Sequence, residues 1–243
     1  MRVVHRIWGK IKEWETRSDL LLLLLNPYFI EKKMLRDALK KEAAQLAGRQ
    51  LVIDIGCGEQ PYRKYFTQFR QYAGFDLIAP PRSGVISKAA NLPLADSVAD
   101  AVLCTEVIEH TQDPKKVCEE ISRVLKKGGT LLLSAPMSWN LHLEPHDYYR
   151  FTRHGLVYLL ERSGMSVIRV VRIGGIVSLI GARLADVLHR KLEQLPLGIR
   201  PPMRRRVASL AVSPVNSVFY ILALIFDRID ETDAIGWLVV AQK

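Results

Sequence analysis

From residue 51 to the end of the chain, short apolar runs alternate with stretches whose apolar residues recur at helical spacing. The runs predict strands, and the stretches between them predict helices. Strands are predicted at 51–55, 71–76, 84–87, 100–105, 130–135, 166–173 and 236–242, and helices at 61–69, 114–126 and 153–163. This alternation predicts an α/β fold in which helices cover both faces of a mainly parallel sheet.

Two segments depart from the alternation. Residues 1–49 are predicted to be helical with a break at Pro27, and we assign them to an N-terminal helical cap. Residues 174–235 are predicted to be a helical insertion before the last strand, within a main domain placed at 50–243. The pattern leaves open whether the prefix covers a ligand site or packs beside the sheet. It also leaves open whether the insertion packs on the sheet, on a second subunit or on a membrane.

The stretch from Leu51 to Gly58 combines a buried strand with a turn that carries almost no side chain. Gly56 and Gly58 permit positive φ angles and a close approach of the backbone to a ligand. Pro61 is typical of the first turn of a helix, and it stands where a dinucleotide-binding sequence has its third glycine. The pattern therefore disfavours NAD and favours an adenosine ligand with a small zwitterionic tail. Asp76 follows the next strand, where an acid binds ribose hydroxyls.

Five stretches together resemble the class I S-adenosylmethionine-dependent methyltransferases, and more narrowly the small-molecule branch of that family. They are Asp54–Gly58, Asp76, Asn91–His110, Leu125–Ser134 and Trp237–Ala241. The resemblance implies a Rossmann-like, doubly wound sheet of seven strands with the last strand antiparallel, to which this chain adds the helical prefix and the insertion. It also implies that the methyl donor is S-adenosylmethionine.

The resemblance further implies a donor site. The glycine turn would hold the methionine part, the acid after the second strand would bind the ribose, and residues 90–92 would flank the adenine. The end of the fourth strand would line the pocket beneath the sulfonium. The implied cofactor-binding residues are Asp54, Gly56, Cys57, Gly58, Asp76, Leu77, Ala90, Asn91, Leu92, Thr105 and Glu106. Two positions depart from the family pattern, because Gln60 replaces a glycine and Lys88 replaces an acid near the adenine.

Candidate catalytic residues follow the later strands, because methyl transfer to a hydroxyl needs alignment and a base. His110 follows the fourth strand and is either that base or a structural residue that holds its loop. His146 is the second candidate, in a loop at 145–152 that resembles a subgroup of bacterial methyltransferases. The same loop supplies the predicted acceptor-binding residues, which are Tyr148, Tyr149 and Arg150.

Composition limits the partners and the compartment. The chain has 243 residues, a net charge of +10 and three cysteines without metal-ligand spacing, so we assign no metal and expect reduced thiols in a cytoplasmic protein. The basic residues are not interleaved with aromatic residues, which disfavours nucleic acid as a partner.

No segment reaches the roughly 18 apolar residues of a bilayer span. The arginines at 204–206 precede an apolar stretch, so 204–226 is predicted either to attach peripherally to the anionic inner face of a membrane or to pack internally.

The predicted function is direct, in-line transfer of a methyl group from S-adenosylmethionine to a small-molecule or lipid-linked acceptor. The alternative is a donor-binding but catalytically silent protein that docks on a membrane or on a partner enzyme. The acceptor atom, whether oxygen, nitrogen or carbon, and the oligomeric state are both left open by the sequence.

Overall fold

A computed structural model describes residues 18–46, 50–78, 84–196, 198–229 and 231–243. The chain divides into two compact units. The helical unit comprises the described parts of Met1–Leu35 and Ile173–Ile235, and the α/β unit comprises those of Arg36–Arg172 and Gly236–Lys243. The predicted terminator of the prefix, Gly48, lies outside the described residues.

A seven-stranded sheet forms the centre of the α/β unit. Its strands are β1 (Leu51–Ile55), β2 (Gln71–Asp76), β3 (Gly84–Ile86), β4 (Ala99–Thr105), β5 (Leu125–Pro136), β6 (Ser166–Ile173) and β7 (Gly236–Gln242). They follow the order β3-β2-β1-β4-β5-β7-β6. Pairing is parallel from β3 through β5, and β7 runs antiparallel to β5. The predicted Rossmann-like α/β fold with an antiparallel last strand is therefore confirmed.

The strand order reverses between β1 and β4, and this reversal positions the ligand site. β4 is buried along its whole length, and β1 is buried from Val52 onward, because helices cover both faces of the central strands. The chain leaves β1 and β4 in opposite directions. A crevice therefore opens outside the carboxyl ends of these two strands, where ligands bind in open α/β sheets.

Local sequence explains where the helices of this unit begin. The helices are α2 (Phe29–Ala43), α3 (Pro114–Val124) and α4 (Arg153–Arg162). Asp113 caps α3 by accepting the Lys116 N–H at 3.1 Å, and Thr152 caps α4 by accepting the Gly155 N–H at 3.0 Å. The predicted end of α3 at 126 is wrong by two residues, because Leu125 already pairs with Ala99 of β4.

The helix predicted at 61–69 is absent, and with it the helix N-terminus expected behind the glycine turn. Only a single 3₁₀ turn, Arg63–Tyr65, occurs there. Gln60 has a positive φ angle of 54°, and Phe66 and Phe69 are buried with their ring centroids 6.1 Å apart. Burial of these rings in a compact turn outweighs the local preference signalled by Pro61.

The helical unit contains α1 (Asp19–Leu25), the first residues of α2, α5 (Ile176–Gln194) and α6 (Pro201–Phe226). The predicted break at Pro27 is confirmed, since α1 ends at Leu25 and α2 begins at Phe29. The statement that no segment is long enough to span a bilayer is wrong. Within the described residues, the 26-residue α6 has the length and apolar composition of a spanning helix.

Most of the residues that α5 and α6 bury are small or polar. Their buried residues include Gly181, Ala182, Ala185, Ala208, Ser209, Ser213 and Asn216. A Cβ atom at Gly181 would lie 2.3 Å from the Cβ of Phe219, so the two helix backbones approach closely there. The large apolar side chains of both helices are therefore directed elsewhere.

Asp227, directly after α6, caps the start of α5. Its buried carboxylate accepts the N–H groups of Gly175 at 2.8 Å and Val177 at 2.9 Å, and the Ser178 hydroxyl also donates to it. Gly175 itself offers no side chain to cap the helix. The carboxylate therefore joins the two ends of the α5–α6 hairpin through a charge that also suits a helix N-terminus.

Candidate active site

The turn after β1 leaves room for a ligand. Gly56 and Gly58 have φ angles of 68° and 45°, in the left-handed region that favours glycine. The Gly56 N–H donates to the Phe75 carbonyl at 2.8 Å, which fixes the turn against β2. A Cβ atom at Gly56 would lie 2.2 Å from Cγ2 of Val107, whereas a Cβ atom at Gly58 would meet no atom within 4 Å. Gly58 therefore borders open space.

Asp76 stands at the end of β2 beside this turn. One of its carboxylate oxygens accepts the Gly58 N–H at 2.8 Å, and the other accepts the Ile78 N–H at 3.2 Å. Leu77 is exposed next to it. The two backbone hydrogen bonds hold the carboxylate in a fixed orientation while it remains accessible to hydroxyl groups.

Asp54 has a different environment, because its carboxylate is 1% exposed. Burial raises its pKa to about 7, an effect reduced by the hydrogen bond that the Tyr72 hydroxyl donates to it and reinforced by the nearby Asp76 carboxylate. Cys57 is also buried. These two members of the predicted cofactor set lie in the interior next to the turn, while Gly58 and Asp76 border its accessible side.

The segment predicted to flank the adenine is divided between surface and core. Ala90 and Asn91 are exposed, and the Asn91 carbonyl accepts the Ser87 hydroxyl at 2.9 Å. Leu92 is buried, and its N–H donates to the Glu120 carboxylate at 2.7 Å. Ala90 and Asn91 are therefore available to a ligand at this edge, whereas Leu92 anchors the segment to α3.

The end of β4 places Thr105 and Glu106 at the crevice. Thr105 is buried, and Glu106 has a positive φ angle of 53° that redirects the chain out of the strand. Ser134 of β5 accepts the Glu106 N–H through its carbonyl at 3.1 Å and donates its hydroxyl to the Glu106 carboxylate at 2.7 Å. These contacts fix the turn that leads into the next segment.

The two predicted catalytic histidines are connected through the backbone. His110 ends a 3₁₀ turn, Ile108–His110, and its Nδ1 lies 2.7 Å from the carbonyl oxygen of His146. Burial lowers the pKa of His110 below its usual value, partly offset by the hydrogen bond to His146. The His146 side chain is exposed, with Nδ1 3.0 Å from the Tyr148 hydroxyl oxygen. His110 therefore lies at the crevice as a neutral imidazole, and His146 lies on its outer side.

The loop that carries His146 is held by an ion pair between the buried Asp147 carboxylate and the half-buried Arg150 guanidinium. Arg150 donates to both carboxylate oxygens of Asp147, at 2.7 and 2.8 Å, and also to the carbonyl of Trp139 at 3.2 Å. The hydrogen bonds from Arg150 hold the pKa of Asp147 well below its usual range. Arg150 was predicted to bind the acceptor, and the structure engages its guanidinium in the loop itself.

Tyr148 and Tyr149 lie at the rim of the crevice. Their backbone N–H groups donate to the Glu109 carbonyl at 2.9 and 3.2 Å, and both rings are more than one third exposed. The Tyr149 hydroxyl donates to the carbonyl of Gln112 at 3.1 Å. Their ring faces are therefore positioned to contact an acceptor entering beside His110.

The sequence interpretation missed two residues of this site, Glu109 and His142. Glu109 is fully buried, and neither of its carboxylate oxygens has a hydrogen-bond partner among the described residues. Burial raises its pKa to about 9, and the neighbouring Glu106 carboxylate adds to the effect. The His142 and His110 rings meet edge to face, with centroids 4.6 Å apart. The adjacent acid before His110 was the available signal for Glu109, but no motif marked His142.

Comparison with known proteins identifies the family. A model of the methyltransferase domain matches residues 53–133, which include the glycine turn, Asp76 and the end of β4. Residues 53–133, a third of the chain, thus have the sequence of a class I S-adenosylmethionine-dependent methyltransferase domain. The methyltransferase has the fold of the S-adenosylmethionine-dependent methyltransferase from Archaeoglobus fulgidus, with a TM-score of 0.55 at 14% identity over 87% of this chain and 94% of that one.

Two curated proteins resemble parts of the methyltransferase. An uncharacterised protein of Methanocaldococcus jannaschii is 33% identical over 105 residues, which are 40% of this chain and 48% of that protein. The ubiquinone biosynthesis O-methyltransferase of Pseudomonas aeruginosa is 28% identical over 176 residues, which are 65% of this chain and 67% of that enzyme. The match thus spans about half the length of the first relative and about two thirds of the second.

The residues of the crevice fit the family's methyl donor. The open space at Gly58 leaves room for the zwitterionic tail, and the oriented Asp76 carboxylate suits the two ribose hydroxyls. Ala90 and Asn91 are accessible at the edge where the adenine would lie. Because the helix expected after Pro61 is absent, no helix dipole would act on the tail at this turn.

Proposed function

We propose that the protein transfers a methyl group from S-adenosylmethionine to a small, lipid-linked acceptor that it meets at a membrane surface. The observation that carries the proposal is the pair formed by Gly58 and Asp76, which border open space at the switch point of the sheet. The name of the Pseudomonas relative describes an O-methyltransferase of ubiquinone biosynthesis, which supports a hydroxyl on a lipid-linked molecule as the acceptor.

The chain's own contribution is to align the acceptor and to remove its proton. The donor supplies an already activated methyl group. His110 is suited as the base, because its Nδ1 faces a carbonyl oxygen and must carry the hydrogen, which leaves Nε2 as the proton acceptor. Its lowered pKa keeps the imidazole neutral at physiological pH. The Tyr148 and Tyr149 rings would hold the acceptor, and the buried walls of the crevice would limit access of water.

Titration with the donor or with S-adenosylhomocysteine tests the binding step. Replacement Asp76→Ala is expected to weaken binding by about 10- to 100-fold, because each charge-assisted hydrogen bond contributes roughly 1.5–3 kcal/mol. Glu161→Ala, which removes an exposed acid from α4, serves as the control and should bind as the wild type does. The proposal is wrong if the wild-type protein binds neither ligand at millimolar concentration.

The alternative function, a donor-binding protein without activity, predicts that no product forms. It is supported by two positions that differ from the family pattern, Gln60 in place of a glycine and Lys88 in place of an acid. A lipid extract incubated with radiolabelled donor distinguishes the two. We expect a labelled product whose formation falls by about 10²–10⁴ in His110→Ala, as for removal of a general base, with donor affinity unchanged. Donor binding without any labelled product would favour the silent protein.

The membrane part of the proposal is supported by the exposed faces of α5 and α6. These helices bury small and polar residues against each other, and small residues at the contact between helices are typical of membrane proteins. Their large apolar side chains are exposed, including Ile180, Leu184, Val187, Leu210, Val218, Ile221, Leu224, Ile225 and Phe226. Arg205 and Arg206 add exposed positive charge at the start of α6. We infer attachment to an anionic membrane, on the cytoplasmic face.

Sedimentation with vesicles tests this attachment. The protein should sediment with phosphatidylglycerol vesicles, and less so at high salt because positive charge contributes. Ile221→Glu should reduce binding at least about tenfold, since it places a charge in the apolar face. Ile168→Glu is the matched control, because Ile168 lies in the α/β unit and both isoleucines are 59% exposed. Equal sedimentation of both variants and the wild type would exclude attachment through α6.

A further inference from the structure

Three side chains converge behind the loop that follows β4. Each of Glu109, His110 and His142 brings one ligand-type atom to within 4.8 Å of the other two. The carboxylate Oε1 of Glu109 lies 3.6 Å from Nε2 of His110. Two ligands bonded to one tetrahedral cation at 2.0–2.1 Å stand about 3.3 Å apart, so this pair already has nearly the required separation.

The hydrogen bonds of both histidines leave one nitrogen of each ring free to bind a cation. Nδ1 of His110 faces the His146 carbonyl at 2.7 Å, and Nδ1 of His142 faces the Asn140 carbonyl at 3.1 Å. A carbonyl only accepts hydrogen bonds, so both Nδ1 atoms carry the hydrogen and both Nε2 atoms keep a free lone pair. Histidines that bind metals are oriented in this way by a carbonyl or carboxylate on the opposite nitrogen.

The environment of the Glu109 carboxylate is a second, independent observation that points to a bound cation. It is fully buried, and both of its oxygens lack a hydrogen-bond partner among the residues described. A buried carboxylate without partners is costly, and proteins keep such groups neutral, pair them with a charge or use them to coordinate a metal. Arg150, which lies in the same loop as His142, is already engaged with both oxygens of Asp147.

We propose that Glu109, His110 and His142 bind a divalent transition-metal cation, with Zn²⁺ as the preferred ion. One carboxylate and two imidazoles form a borderline donor set that suits zinc, and also manganese, iron or cobalt. Three protein ligands leave at least one coordination position open, as in catalytic metal sites. Asp147 completes the surroundings, because its carboxylate lies 3.3 Å from Nδ1 of His142 and reinforces the orientation of that ring.

The cation has a consequence for methyl transfer that rests on the proposed function. An acceptor hydroxyl bound at the open position loses its proton more easily, because the cation stabilises the resulting oxyanion. With the cation bound, Nε2 of His110 would be a ligand and could not also accept the proton, so the cation would take over the role given to His110 above and the proton would pass to water. Metal binding itself requires neither the donor nor the acceptor, so it can be measured alone.

The test uses tag-free full-length protein that has been treated with EDTA and dialysed. Zn²⁺ is titrated by calorimetry, and Co²⁺ binding is followed by its visible absorption. We expect one ion per chain with a Kd of about 1 μM or lower. Glu109→Gln and His142→Ala should each weaken binding at least about 100-fold. His154→Ala, which removes an exposed histidine outside the cluster, should bind like the wild type.

Folding and activity are controlled separately. Binding of S-adenosylhomocysteine by each variant reports that its donor site is intact, and His142 lies in a loop where truncation leaves the sheet untouched. The metal proposal is overturned if the wild type binds neither ion at 100 μM, a concentration roughly 100 times the expected Kd. It is also overturned if Glu109→Gln and His142→Ala both bind as tightly as the wild type. Failure of donor binding with intact metal binding would instead contradict the proposed function.

Discussion

Replacing Asp147 by alanine is expected to destabilise the protein by about 2–4 kcal/mol, somewhat less than for a fully buried pair, because the half-buried Arg150 guanidinium then loses its counter-ion. The Asp147 side chain is 1% exposed and accepts two hydrogen bonds from Arg150. It also accepts the His142 N–H at 2.9 Å. One substitution therefore removes the group that organises the whole loop from residue 139 to 150. Urea unfolding measures the loss of stability, and hydrogen exchange locates it in the loop.

A surface ion pair of similar length provides the control. Asp96 and Arg123 are joined at 2.6 Å, but the Asp96 side chain is 75% exposed. Asp96→Ala is expected to change the free energy of unfolding by less than about 1 kcal/mol, since water and salt screen an exposed pair. If Asp147→Ala proves no more harmful than Asp96→Ala, the ion pair is not what holds the loop.

The second large effect is a dependence of stability on pH that originates at Asp54. Its pKa is about 7 in the folded protein and near 3.8 in the unfolded chain. The folded state therefore binds more protons between these values, and its stability falls as the pH rises from about 4 through 7. Asp54→Asn still accepts a hydrogen bond from the Tyr72 hydroxyl and has no charge to bury. The variant should exceed the wild type in stability by up to about 4 kcal/mol at pH 8, and by little at pH 4.

Asp100 provides a control, because its pKa is lowered by folding whereas that of Asp54 is raised. Burial alone would raise its pKa, but hydrogen bonds from Lys126, at 2.9 Å, and from the Leu51 N–H, at 3.0 Å, lower it. The Asp100 carboxylate stabilises the folded protein above the pKa that the group has in the unfolded chain. This stabilisation is lost as the pH falls through the lower pKa that the group has in the folded protein. Asp100→Asn should therefore be less stable than the wild type at pH 7, with a smaller difference at pH 3. Parallel pH profiles for Asp54→Asn and the wild type would contradict the assignment to Asp54.

The glycine turn and the positions of the strands along the chain were predictable because they depend on local requirements. Gly56 and Gly58 adopt φ angles that few other residues tolerate, and the apolar runs define the strands. The segment after the turn was not predictable in the same way. Pro61 signals a helix, but burial of Phe66 and Phe69 decides the structure, and burial depends on residues distant in sequence.

The residues expected to surround the acceptor were also hard to predict from the sequence, because their burial depends on contacts with distant parts of the chain. The sequence interpretation selected His146, which is exposed, and omitted Glu109, whose buried carboxylate has no hydrogen-bond partner in the part of the chain that the structure describes. The state of Glu109 is set by a loop that begins some thirty residues later and whose backbone folds over it. Likewise, the apolar composition of α6 was visible in the sequence. That its large side chains lie outside, and its serines inside, depends on packing against α5.

The close contact between Gly56 and Val107 connects the donor turn with the segment after β4. Cγ2 of Val107 occupies the space where a Cβ atom at Gly56 would lie, so the donor turn rests directly on the segment that carries Glu109 and His110. A shift of the turn on donor binding is transmitted to that segment, since close-packed groups cannot yield independently. We therefore expect the donor and the acceptor each to change the protein's affinity for the other by the same factor. Acceptor titrations with and without saturating S-adenosylhomocysteine would measure this factor, and an unchanged acceptor affinity would exclude the coupling.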